Sequence, residues 1–424
     1  MEDPSDRVTA RTSVTPVPDD EQPTTGSSPD GIVPPPGPAV LSRSDLRRER
    51  TKKTRARWYV LGVVVALLLG VGVAALVTHS DKTAAKAPVI TATTAAPAPL
   101  ATCPLTGTPA PGGTVPNRPA LAVKIGNYSG DRPSTGLNQA DVVFEEPVEG
   151  SYTRLVAVFH CQGAPLVGDL RSAREPDVAI LSQLSDPLFV HAGGITPVLG
   201  LLAAGPLQDE NVLAAASAVV THPSGRYAPY STFTSTAAVW ALHPAEVTPP
   251  SPLFSYAATL PAGSVVGSGQ SVHIPFSSDA DVTWTWDPSS ARYLRSYSGT
   301  PDKLLDGSQT ATANVIVLTV ATFLGPWVEN SQGAHEVEVT AVGSGPLVVL
   351  RGGVAITGTW SRTSLTRPAT LATAGGQPIT LQPGNTWEEL VPQGIPVTTT
   401  AAPTAAPATT VPGSTGQHPA TTRP

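Results

Sequence analysis

Residues 58–77, WYVLGVVVALLLGVGVAALV, form a run of twenty positions without a charge. At about 1.5 Å per residue, a helix of that length spans roughly 30 Å, the hydrocarbon thickness of a bilayer. A buried core helix is the alternative, but an uninterrupted apolar run this long rarely occurs inside a soluble domain, so a transmembrane helix is predicted. The stem before it, 43–57, carries Arg43, Arg47, Arg48, Arg50, Lys52, Lys53, Arg55 and Arg57 against Asp45 and Glu49. Just beyond the run stand only Lys82 and Lys86 against Asp81. The positive-inside rule then places the N-terminus in the cytoplasm and everything after Val77 outside the cell membrane. The leader is longer than the basic region of a signal peptide. Pro88 follows the cleavage-like triplet Ala85-Lys86-Ala87, and the lipobox-like Leu100-Ala101-Thr102-Cys103 lies far downstream. A single-pass signal anchor is expected.

Composition sorts the rest into arms and core. The chain has 26 Lys plus Arg against 32 Asp plus Glu, a net charge of -6, with 14% charged and 40% apolar residues. Neither a basic nucleic-acid binder nor a wholly disordered acidic chain has those totals. The 46 Pro and 38 Gly are unevenly spread. Residues 1–42 read as a disordered cytoplasmic arm, 78–102 as an Ala/Thr/Pro linker and 397–424 as a disordered tail. Two cysteines, Cys103 and Cys161, cannot build a four-thiolate zinc site. Lying on the oxidising side, they are predicted to pair. That bond closes a loop of nearly sixty residues, which stabilises by roughly 4 kcal/mol in the chain-entropy model.

Between the arms two patterns follow each other. Residues 103–260 alternate strand-like runs (ALAVKIG, ADVVFEE, TRLVAVFH, PLFVHAGG) with helix-like ones (DVAILSQL, VLGLLAAG, NVLAAASAVV). That alternation predicts an α/β layer domain. Residues 270–392 are strand-like almost throughout and predict a mainly antiparallel β domain, so the fold class expected is α+β. In Val282-Thr283-Trp284-Thr285-Trp286 the apolar side chains recur every second residue, the mark of a half-buried strand. The run Asn314–Val320 suits a strand covered on both faces.

Several pieces of both regions occur in the order seen in a known family. They include CPLTG at 103–107, RPSTGL at 132–137, ADVVFE at 140–145, VEGSYTR at 148–154, LRSAR at 170–174 and VHAGG at 190–194. NVIV at 314–317, RGG at 351–353, GTW at 358–360 and PGNTW at 383–387 complete the series. Over 103–392 the chain resembles the DUF3048 family of bacterial envelope proteins, typified by the YerB lipoproteins. The resemblance implies an envelope location and a two-domain fold, and no reaction. The chain departs from it in two ways. It carries an apolar span where relatives are often lipid-anchored, and it has Tyr230 and Ser231 where many have a His-Asn pair after a proline.

The candidate site residues come from three constellations. LRSAREP at 170–176 precedes a helix-like run, with Pro176 suited to a first helical turn and Ser172 to a cap. Arg171 and Arg174 conflict with the positive end of that helix, and an anion between them would resolve the conflict. Alternatively they pair with Glu145, Glu146 or Glu149. Glu149 and Arg154 flank a Gly-containing bend and are expected to share a pocket, where two carboxylates could act as acid and base. His191 ends a strand-like run just before Gly193 and Gly194, a turn that admits close ligand approach. His160, His222 and His273 lack metal-ligand spacing, and no HExxH, Walker A, GxSxG or dinucleotide fingerprint is present. No metal and no cofactor is expected.

Three functions fit. The first is a membrane-anchored extracytoplasmic protein binding an anionic envelope ligand, with the membrane, a cell-wall polymer or envelope proteins as partners. The second is an envelope hydrolase or transferase using Arg171, Arg174 and a carboxylate or His191. The third is a structural docking partner of a membrane complex.

Overall fold

Strands β1 (Leu121–Gly126), β2 (Val142–Pro147) and β3 (Thr153–Phe159) lie at the centre of the protein, buried on both faces almost throughout. The structure is a computed structural model, and it describes residues 101–214 and 218–400. The run expected to cross the membrane, the N-terminal arm, most of the linker and residues 401–424 lie outside the described residues; the start of the tail, expected to be disordered, instead forms a strand at Thr398–Thr400 that pairs with Ser271–His273. Among the described residues no helix is long and apolar enough to cross a membrane.

From β3 the chain passes into helix α1 (Glu175–Leu181), strand β4 (Leu188–His191), helix α2 (Thr196–Ala204) and strand β5 (Gln208–Asn211). Helix α3 (Thr236–Leu242) follows, with Ser235 Oγ accepting from the Ala238 N–H at 3.2 Å as its N-cap. Then come β6 (Ser271–Pro275), β7 (Asp281–Asp287), β8 (Arg292–Tyr297), β9 (Asn314–Val320), β10 (Thr322–Val328) and β11 (His335–Val339). The last strands are β12 (Gly343–Arg351), β13 (Val354–Arg362), β14 (Thr370–Thr373), β15 (Thr386–Pro392) and β16 (Thr398–Thr400).

The main sheet is mixed and has eleven strands, ordered β14-β13-β12-β9-β15-β2-β3-β1-β4-β5, with the short Gly267–Ser268 strand paired to β13. It runs without a break through both sequence regions. The seam is β15, which pairs in parallel with β2 on one side (Glu145 opposite Glu389) and with β9 on the other. The expected antiparallel β region is realised in part. Strands β6, β7, β8 and β16, with the short strands Thr300–Pro301 and Ala311–Thr312, form a separate six-stranded antiparallel sheet, while β9 and β12–β15 extend the central one.

Alternation along each strand divides the core in two. Val123, Ile125, Val143, Leu155, Ala157 and Trp387 face the second sheet, meeting Val272, Ile274, Val282, Trp284 and Tyr293. Ala122, Phe144, Val156, Val158 and Ile316 face the other way, onto Ile180, Leu181, Val198 and Leu202 of the first two helices. The sheet is therefore covered on both sides, which explains why its strands read as unbroken apolar runs. Val282 and Trp284 are buried while Thr285 is exposed, as the period-two pattern requires.

Two local expectations are corrected. Ser172 does not cap α1: its hydroxyl donates to the Ala192 carbonyl at 3.1 Å, and Arg174 stands at the N-cap, its N–H donating to Asp177 at 2.7 Å. A carboxylate three residues on supplies half of a capping box, so no hydroxyl is needed. The segment NVLAAASAVV does not begin a helix either. Asn211 ends β5, and 212–214 form a turn whose Leu213 is exposed. Asn211 Oδ1 accepts from the Gly193 and Leu213 N–H groups at 3.0 and 3.1 Å, fixing that turn. Cys103 and Cys161 are disulfide-bonded, with Cα atoms 6.0 Å apart.

Candidate functional site

The ends of β1 and β3 and the approach to α1 meet at a cleft of about 380 Å³. Asn127 and Tyr128 follow β1, Tyr152, Thr153 and Arg154 open β3, and Arg171 and Ser172 lead toward α1; Tyr230 and Asn330 come from loops. Two glycines shape it. Gly150, at φ +73°, turns the chain between Glu149 and Tyr152 so that both reach the cleft wall. A Cβ at Gly126 would collide with the Asp131 carboxyl and the Arg171 stem, so the missing side chain lets that ion pair lie across the strand.

Arg154, Arg171, Glu149 and Ser172 are brought together here, with Arg174 behind Glu149. Arg171 grips Asp131 through Nε at 2.8 Å and through Nη2, and its Nη1 donates to the Pro229 carbonyl at 2.5 Å. Its guanidinium lies 4.6 Å from the centre of the Tyr230 ring, a cation–π distance. Arg174 turns the other way and holds Glu149 by a two-point fork, Nε to Oε2 at 2.7 Å and Nη2 to Oε1, with Glu329 at 3.2 Å from Nη1. Arg154 adds Nη2 to Glu149 at 3.4 Å and donates Nη1 to the Ser172 carbonyl at 2.8 Å. Burial works to raise the Glu149 carboxyl, but the Arg174 hydrogen bonds and the charges of Arg154 and Arg174 prevail and hold it at about 2. Burial also lowers Arg154 to about 10, with Arg174 adding repulsion. The arginines thus face carboxylates rather than one shared open point.

The other candidates lie elsewhere. Glu145 is buried under the second sheet and pairs with Arg295. His191 is fully buried, with Nδ1 at 2.7 Å from the Gly193 carbonyl oxygen and Nε2 at 2.7 Å from Asp209 Oδ1, and its ring stacks on Phe189. Both of its nitrogens are occupied in holding the β4–β5 edge. Gly193 and Gly194 shape the turn beside it and do not line the cleft.

Sequence reasoning missed five residues at the cleft, Asn127, Tyr128, Asp131, Tyr152 and Asn330, and the buried Asp169 behind it. Tyr128 and Tyr152 meet edge to face, with centroids 4.9 Å apart. Asp169 is fully buried and neither of its oxygens has a hydrogen-bond donor in range. Its nearest cations are Arg171 Nη2 at 3.6 Å and Arg226 Nη2 at 3.8 Å. Burial pushes it up to about 7, and the neighbouring Asp131 charge adds to the rise. The sequence signal was thin: SYT at 151–153 and NYSGD at 127–131 read as ordinary bends. Among the described residues no group of three His, Cys, Asp or Glu side chains is arranged to hold a metal ion.

Comparison with known proteins covers both halves of the sheet. Residues 105–247 match the family described as "Protein of unknown function (DUF3048) N-terminal domain", and 272–387 match its C-terminal domain. YerB of Bacillus subtilis (strain 168), named as a candidate lipoprotein, is 43% identical over 90 residues, 21% of this chain. The chain spans about a quarter of that relative's length, 27%. The crystal structure of the YerB protein from Bacillus subtilis aligns over 70% of this chain and 99% of its own, with a TM-score of 0.60 and 22% identity. At that identity the likeness establishes the fold.

Proposed function

The chain belongs to the DUF3048 family of YerB-like proteins, and from that premise we propose that it is an extracytoplasmic binding protein whose cleft holds a segment of cell-wall glycan. The run 58–77 serves as its membrane anchor, with the basic stem in the cytoplasm. The observation that carries the reading is the cleft lining: Tyr128, Tyr152 and Tyr230 beside Asn127, Asp131, Ser172, Arg171 and Asn330. Tyrosine offers an apolar ring with a polar tip, which suits a sugar's alternating C–H faces and hydroxyls. A few fixed polar groups then set orientation.

A ligand that is only an anion fits less well. Arg171 already faces Asp131 and Asp169, and Arg174 faces Glu149 and Glu329. A bare phosphate would have to displace a carboxylate from one of them. A hydroxyl-rich chain needs no displacement, since it can share the unused donors and acceptors around the rim. The hydrolase reading draws on one feature, a carboxyl raised to about 7 at Asp169 beside Asp131. Two carboxyls of unequal affinity for a proton are what acid–base cleavage of a glycoside requires. Asp169 is sealed beneath Arg171 and Arg226, however, and this reading stands second.

The test is calorimetric titration of the protein with soluble glycan strands from digested peptidoglycan. Tyr152→Ala should weaken binding by at least tenfold, the scale of a truncated aromatic anchor. Tyr227→Ala, at an exposed tyrosine away from the cleft lining, should leave it unchanged. Absence of binding, or equal loss in both variants, would overturn the proposal; release of reducing ends during titration would favour the hydrolase.

A further inference from the structure

The 148–153 bend has a second face. On the other side of the same bend lies a groove of about 580 Å³, and both cavities share Val148, Glu149, Gly150, Tyr152 and Thr153 as a common wall. The character of the lining changes across that wall. Beyond it stand Phe276, Phe323, Leu324, Val337 and Pro392. The hairpin β10–β11 holds Phe323 and Leu324 out at 54% and 71% exposure. The only acidic group in the groove is Glu149, already gripped by Arg174, and His335 has Nδ1 at 2.8 Å from the Gly325 carbonyl oxygen. A large, mainly apolar groove with its charges compensated thus shares one wall with a polar, tyrosine-lined cleft.

We propose that the ligand is an amphiphile, a glycan carrying a hydrocarbon chain, with the sugar in the cleft and the chain in the groove. This rests on the glycan reading above and names its substrate class. A free polysaccharide would leave the exposed Phe323 and Leu324 uncovered, whereas a hydrocarbon tail covers them and removes its own apolar surface from water. The shared wall places the junction between head and tail at the 148–153 bend.

The experiment uses the full chain in lipid nanodiscs and a series of N-acetyl-β-glucosaminides carrying octyl, decyl and dodecyl chains, below their micelle concentrations. Partition into the nanodisc is common to parent and variant, so their difference isolates the groove. Each added methylene should tighten binding to the parent by up to about fourfold more than to Phe323→Ser/Leu324→Ser, the full value of a buried CH₂. Both substitutions are at exposed positions and leave the fold in place. Chain-free glycan strands should bind parent and variant alike. Equal chain-length dependence in the two proteins would overturn the amphiphile while leaving the glycan reading intact. Loss of chain-free glycan binding in the parent would overturn both. A dimer that the double variant dissolves would show a second copy of the chain in the groove, and would overturn the amphiphile as well.

Discussion

Glu145 and Glu146 are neighbours on β2, yet they point to opposite faces of the sheet and meet different solutions to the same problem. Glu145 lies under the second sheet, where its Oε1 accepts from Thr153 Oγ1 at 2.7 Å and Asn127 Nδ2 at 3.1 Å and its Oε2 from Arg295. The guanidinium of Arg295 reaches on to Asp302 at 3.2 Å and lies 4.9 Å from the Trp387 ring centre. Glu389, beside Glu145 in the β15 register, accepts from Trp284 Nε1 at 2.7 Å. Burial, then the Glu145 charge, drives Glu389 well above the usual carboxylate range. On the other face Glu146 has one oxygen on Lys124 and the other without a donor, and Lys124 must also serve Asp177 at 2.8 Å. Burial and the Asp177 charge push Glu146 up to about 7 against the pull of Lys124. A planar fork with several donors ties two sheets together; a single ammonium shared by two carboxylates leaves one of them undercompensated.

The contrast is sharpest when each cation is removed. Arg295→Met should cost about 3–5 kcal/mol, the scale for breaking a fully buried ion pair, because Glu145 and Asp302 both lose their counter-charge. Lys124→Met should cost less, since Glu146 takes up a proton near neutrality in place of its partner. Urea midpoints of the two variants, at one pH and with unchanged slopes, measure the difference. Equal losses would show that the two faces are not distinct.

Removing the carboxylates instead should separate the faces by a smaller margin. Glu145→Gln discards one end of a charge-assisted bond and should cost about 1–3 kcal/mol. Glu146→Gln gives up a charge that burial already disfavours and leaves Lys124 wholly to Asp177. Its stability should stay within about 1 kcal/mol of the parent, and above pH 7 it should rise. A larger loss for Glu146→Gln than for Glu145→Gln, read from the same denaturation curves, would reverse the comparison.

Much of this architecture could be read from residue order, and its failures have physical causes. Strands such as Asn314–Val320, the helix after Arg174 and the disulfide follow from local periodicity, proline placement and the expectation of an oxidising compartment. The continuous sheet does not. Its seam is a parallel pairing between residues near 144 and near 388, and parallel partners leave no turn signal between them. The same distance hid the site chemistry. Glu145 and Glu149 stood out as carboxylates, and Glu149 with Arg174 was one of the pairings anticipated. The partner of Glu145, by contrast, is an arginine on a strand of the second sheet, in a run, RYLRSY, that looks half-exposed. Tyr128 and Tyr152 escaped notice because each sits in a different bend, and only the fold gathers them beside Tyr230.

The smallest and most general consequence concerns pH. Five carboxyl groups, Asp141, Glu146, Asp169, Glu175 and Glu388, are raised to about 7, in each case first by burial. Each therefore binds a proton more tightly folded than unfolded. Between about pH 4.5 and 7 the native state holds more protons than the unfolded chain, and stability falls as pH rises. Glu149 works in the opposite direction. Held at about 2 in the fold, it contributes stability that is complete above its unfolded value and is lost as pH drops from about 4.5 toward 2. The two trends balance at about pH 4, near the lower edge of the first window, where the melting temperature should be highest. From pH 5 to 8 it should decline by several degrees, each group contributing at most about 1.4 kcal/mol per unit of its shift. Glu146→Gln should make that decline shallower without altering the acid limb, and Glu149→Gln should flatten the acid limb without altering the decline. A melting temperature constant from pH 5 to 8 in the parent would mean that these carboxyls find compensation which their surroundings do not supply, and the account of Glu146 as the undercompensated member of the pair would fall with it.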